Sequence, residues 1–148
     1  MRITIPGQTR SKKNSMRIVR FGNRASIRPS KLYDEWQKKA LSHLRLLPKW
    51  AGRYPVNIRF YFFRENDRRF DFSNMVEGAQ DVLQQAGILL QDDMKHVFPV
   101  IDGYEIDKEN PRLEIVIEER YILGESFGEI RKIQGGNNDN AREIERAS

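Results

Sequence analysis

Cysteine is absent from all 148 residues. That excludes disulfide staples, thiolate-bound zinc and a thiol nucleophile, and it fits a reducing, cytoplasmic setting. Histidine is scarce: His43 and His96 are the two imidazoles, and no Ser–His–Asp arrangement has support beyond the presence of the residue types. Neither glycine-rich phosphate loop, G-x-x-x-x-G-K-[S/T] or G-x-G-x-x-G, occurs. No apolar run approaches the roughly 18 residues of a membrane span. The basic N-terminal residues are not followed by the apolar core of a secretory signal. No membrane partner is therefore expected.

Charge is plentiful and unevenly spread. The length fits one domain around one core. Residues 1–53 hold fourteen Lys/Arg against two acids, and residues 54–148 hold twelve against nineteen. An asymmetry of this kind points to a basic face for a polyanion and a separate acidic cluster; the bland alternative is an unevenly charged solvated surface.

Periodicity gives the coarse fold. Ile3 and Ile5 alternate within a first strand over residues 2–6. Residues 7–28 are loop-like and free of acids, with Ile18, Val19 and Phe21 as a candidate short strand. Ser30 is a candidate N-cap for a helix whose buried stripe is read as Leu32, Trp36, Ala40, Leu44 and Leu47, ended by Pro48. Residues 55–64 alternate strongly, with aromatics on both faces, and read as a central strand. A second helix is expected over 71–86, with Met75, Val76, Ala79, Val82, Leu83 and Ala86 inward and Gly87 at C′. Strands are expected over 97–101 and 113–119, joined by a polar turn through Asp107–Pro111. The class is α/β (α+β): a small mixed sheet with two main helices packed on it. The domain is expected to cover 1–123, with a polar tail over 124–148 containing a Gly-Asn linker.

Carboxylates remain as the candidate chemistry. Asp71 stands at the start of the second helix with Ser73 and Asn74 in its first turn, and Asp92 and Asp93 follow the same helix. If tertiary packing brings them together, their hard oxygens suit Mg²⁺, with Mn²⁺ as an alternative. A metal between carboxylates activates water and offsets the charge of a phosphodiester. The plainer alternatives are that Asp71 and Ser73 cap the helix and that Asp92 and Asp93 form a polar turn.

The same residues carry a family resemblance. Ile5-Pro6-Gly7-Gln8 followed by Ser11-Lys12-Lys13-Asn14-Ser15 resembles the N-terminal signature of the RusA family of Holliday junction resolvases. Arg69-Phe70-Asp71-Phe72-Ser73-Asn74 resembles that family's Asp-x-Asp-Asn helix start. Asp81-Val82-Leu83, then Ala86-Gly87-Ile88 and Asp92-Asp93, resembles its continuation. The match covers roughly residues 1–119. The resemblance implies a dimeric, Mg²⁺-dependent endonuclease, often encoded by phages or prophages and acting in the bacterial cytoplasm. Such an enzyme nicks opposite strands of a four-way DNA junction in recombination and repair. A two-fold dimer suits a nearly two-fold junction.

Two positions depart from the family pattern. Ser73 stands where a second Asp is usual, and Glu77 where a lysine is usual. Ser73 and Glu77 share a helix face. Glu77 is therefore a candidate metal ligand, with Ser73 as support; the alternative is an exposed glutamate and weakened or lost activity. Lys12, Lys13, Asn14 and Arg17 are candidates for phosphate contact, the alternative being a basic loop that binds nothing specifically. Arg68 and Arg69 are candidates for contact with the scissile region or for moderating carboxylate repulsion. Asn74 is a candidate for orienting water or capping the helix. A non-catalytic DNA-binding protein on the same fold is the competing reading. An RNA-binding or protein-interaction module is a third, without an aromatic-rich RNA signature to support it.

Overall fold

The computed structural model describes residues 1–13, 16–89 and 96–120. Asn14, Asp92, Asp93 and the expected tail over 124–148 lie outside them. The elements run β1 (Arg2–Pro6), β2 (Arg17–Phe21), β3 (Arg24–Arg28), α1 (Lys31–Leu44), β4 (Val56–Arg64), α2 (Phe72–Gln85), β5 (Val97–Ile106) and β6 (Arg112–Glu119). The class is mixed α+β, as the periodicity predicts. Four strands form a sheet in the order β1-β6-β4-β5. β4 pairs in parallel with β5, while β6 is antiparallel to both β1 and β4. α2 is the crossover between the parallel pair, as such a connection requires.

β4 is central, and its alternation sets the layers. Val56, Ile58, Phe60 and Phe62 are buried, as are Leu113, Ile115 and Ile117 of β6 and Ile3 and Ile5 of β1. Their cross-strand registers are Phe60↔Ile115 and Ile3↔Ile115. Both helices contribute to the same core, α1 through Tyr33, Trp36, Ala40 and Leu44, and α2 through Met75, Val76, Ala79, Val82 and Leu83. The opposite face of the sheet carries part-exposed Tyr61 and Phe63, with the Arg112 guanidinium 3.4 Å from the Phe63 ring centroid. Among the described residues no helix is long and apolar enough to cross a membrane.

Four expectations need correction. Leu32 is 56% exposed; the inward stripe runs through Tyr33, and neighbouring helix positions differ by about 100°. α1 ends at Leu44 with Arg45 as C-cap, and two tight turn bonds then lead to Pro48 (Leu46 N to His43 O, 3.2 Å; Leu47 N to Leu44 O, 3.0 Å). Residues 17–28 form a hairpin of two strands, β2 and β3. Nearly all of its side chains are exposed, so no inward alternation marks it. β5 continues past the expected end at Ile101 to Ile106. A bulge absorbs Asp102, and the Arg59 guanidinium grips its carboxylate at 2.6 and 2.9 Å. Gly103 (φ +150°) allows it, because a Cβ there would lie 3.3 Å from Tyr61.

Candidate functional site

α2 begins at the C-terminal end of β4, a usual position for ligand sites in sheets with parallel pairs. Asp71 is its N-cap. Asp71 Oδ1 accepts from Ser73 N at 2.9 Å and Asn74 N at 3.4 Å, and Oδ2 accepts from Asn74 Nδ2 at 3.1 Å. The capping role is therefore real, and the carboxylate remains exposed with lone pairs to spare. It faces an open cleft of about 650 Å³ lined by Arg69, Phe70, Asp71, Phe72 and Ser73. An aromatic cluster holds this helix end in place: Phe70 and Phe72 have centroids 4.5 Å apart, and Tyr104 of β5 packs 5.2 and 5.7 Å from them. Arg68 and Arg69 lie exposed just before it.

The basic segment after β1 is laid against the same helix. Gly7 N donates to Pro111 O at 2.8 Å, and Gln8 Oε1 accepts from Glu65 N at 2.8 Å. Arg10 pairs with Glu65 at 3.0 Å, Lys12 with Asp81 at 2.8 Å and Lys13 with Glu77 at 2.7 Å. Gly78 makes the close approach feasible, since a Cβ there would sit 3.3 Å from Tyr33 and 3.5 Å from the Arg10 carbonyl. Glu77 thus meets an ammonium. Exposed pairs such as these contribute about 0–1 kcal/mol each, so a phosphate can exchange with the carboxylate at little cost. Arg17 is placed elsewhere, on β2, paired with Asp34 of α1 at 3.0 Å. Arg20, Arg24 and Arg28 extend the exposed basic hairpin. Its Gly22-Asn23 turn dipeptide is the sequence signal that could have revealed β3.

Asp92 and Asp93 lie outside the described residues, and the described residues on either side of them are anchored away from the start of α2. Ile88 O accepts from Trp50 N at 2.8 Å beyond the C-terminus of α2, and His96 O accepts from Val56 N at 2.8 Å at the start of β4. α2 has 14 residues, about 21 Å at 1.5 Å per residue. Asp92 lies three steps from Leu89, and Asp93 three steps from His96, a reach of about 11 Å on each side. Within one chain, a cation shared with Asp71 would require the connection to run back along half the helix. Among the described residues no three His, Cys, Asp or Glu side chains form a metal-binding group. No family model and no curated protein matches this chain.

Tyr33, beneath the Lys12–Asp81 contact, makes the docked segment sensitive to alkali. Burial pushes its hydroxyl up to about 12, and the carboxylates of Asp81, Asp34 and Glu77 add to the rise. The Lys12 ammonium is also held above its ordinary value, chiefly by its hydrogen bond to Asp81. A group that holds its proton more tightly when folded contributes stability that is complete below the unfolded value. That stability is lost as the pH rises through the folded one. Melting temperature should therefore fall between pH 10 and 12. Tyr33→Phe removes a buried hydroxyl that has no hydrogen-bond partner. It should match or exceed wild-type stability at neutral pH and show a shallower alkaline fall. An equally steep fall in the variant would acquit the phenol.

Proposed function

We propose that this chain is a divalent-metal-dependent endonuclease of the RusA type, cutting branched DNA as a homodimer. The observation that supports this best is the shared helix. Asp71 opens α2 at a cleft beside exposed Arg68 and Arg69, and the acid-free segment carrying Lys12 and Lys13 lies along the same helix. A polyanion following the basic segment would be led toward the carboxylate. Oxygen donors suit Mg²⁺, and Asp71 has free lone pairs to offer one. When bound, the ion would polarise a phosphodiester and lower the pKa of its water. Ser73 and Asn74 would keep the Asp71 carboxylate oriented. Glu77 would act as a positioning residue that presents Lys13 to the backbone.

The tether lengths favour a site shared between copies, with Asp71 from one protomer and Asp92 and Asp93 from its partner. A two-fold dimer then holds two equivalent sites, matching two symmetric nicks across a four-way junction. Mixing inactive variants tests this on a synthetic junction with Mg²⁺. Asp71→Asn and the double variant Asp92→Asn/Asp93→Asn should each be inactive alone. After subunit exchange, each mixed dimer regains one intact site and nicks one strand. No activity in the mixture would place each site within a single chain. No cleavage by wild-type protein, with equal binding to junction and linear duplex, would sink the nuclease reading in favour of a non-catalytic DNA-binding protein.

A further inference from the structure

Arg64 is the last residue of β4 and continues its buried parity, Val56, Ile58, Phe60, Phe62, Arg64. Only 4% of it is exposed, yet among the described residues no carboxylate lies within ion-pair distance. Nη1 donates to Arg68 O at 2.8 Å, and the guanidinium lies over the Phe70 ring at 3.5 Å, but Nε has no partner. Thr9, 3% exposed, has an unpartnered Oγ1. Both residues line one pocket of about 160 Å³, together with Gln8, Arg10, Ser11 and Ser30 on its polar side. Arg10 is already paired with Glu65 at 3.0 Å, whereas Arg64 feels Asp67 and Glu65 only at longer range and has no direct carboxylate partner among the described residues. The pocket also meets the N-terminal end of α1 at Ser30 and Leu32, where the helix dipole favours an anion.

From this geometry we infer that the Thr9–Arg64 pocket binds a phosphate group, either free inorganic phosphate or a terminal phosphate of a nucleic acid. A buried guanidinium without a carboxylate gains most from an oxyanion, and hydroxyl donors complete a tetrahedral shell. A pocket of about 160 Å³ has room for several waters, and a five-atom oxyanion fits. Thr9 and Arg64 are too deeply buried for an internal phosphodiester flanked by sugars, which favours a monoester or the free ion. The inference is independent of the nuclease proposal, because phosphate binding alone reads it out.

The test is thermal unfolding in inorganic phosphate against chloride at equal ionic strength. At about ten times the dissociation constant, wild-type protein should gain roughly 3–6 °C. Thr9→Val removes the unpartnered hydroxyl in nearly the same volume and should remain folded while losing most of that gain; Arg64→Met should lose it entirely. Equal melting in the two salts would mean that the pocket holds water, and an undiminished gain in Thr9→Val would place the ion elsewhere; either overturns the inference. Short single strands with a 5′-phosphate or a 5′-hydroxyl then separate the sources. Tighter binding of the phosphorylated strand, lost in Thr9→Val, identifies a nucleic-acid end. Equal binding of both strands, with the inorganic gain intact, identifies the free ion.

Discussion

On the proposed nuclease function, Asp71→Asn should reduce junction cleavage by about 100-fold or more while leaving the fold and DNA affinity intact. On that proposal one carboxylate has two roles. As N-cap, Asp71 accepts from the amides of Ser73 and Asn74, and asparagine caps helices about as well as aspartate. Melting temperature should therefore stay close to wild type. As a metal ligand the amide is a poor substitute, since it carries no negative charge. Asp71→Ala provides the contrast: it loses both roles and should cost about 1 kcal/mol of stability as well. Cleavage and filter-binding on the same junction measure rate and affinity separately. An Asp71→Asn protein that cuts at the wild-type rate would leave the residue as a cap and nothing more.

Phe60→Ala should cost about 3–5 kcal/mol of stability. Phe60 is fully buried at the middle of the central strand, opposite Ile115 of β6 and Ile101 of β5. Its ring stacks near Phe62, with centroids 6.3 Å apart. Neighbours on both sides belong to the sheet, whose hydrogen bonds limit collapse into the void. Small domains have only about 5–15 kcal/mol in total, so the variant should unfold at much lower urea with an unchanged slope. Phe63→Ala, on the part-exposed opposite face, should cost clearly less. Equal losses from the two would mean that the second face is as covered as the first.

The parts of the fold that bury a face were legible. β4, β6 and α2 expose their inward parity through spacing alone, and Asp71 and Ser30 act as the caps their positions predict. The hairpin was only half visible because alternation records burial, and β2 and β3 have almost none. In the site, charge counts gave the sign of the basic segment. They could not show that Lys12 and Lys13 meet Asp81 and Glu77, which depends on the side-by-side packing of two segments far apart in sequence. That a helix of known rise stands between Asp71 and Leu89 was legible in principle from the spacing of α2. Arg64 was legible too, as the one charged residue on the inward parity of β4, but a parity rule read only for apolar residues passes over it.

Among the described residues, the last strand in the chain lies in the middle of the sheet. β6 separates β1 from β4, and its first residue comes 106 positions after the end of β1. While the polypeptide is still emerging from the ribosome, Ile3, Ile5, Ile58 and Phe60 have no strand between them to complete their layer. The four-strand sheet can close only after β6 has been made, and its rate of formation is governed by long-range closure. Until that moment two open strand edges are offered to any neighbouring chain.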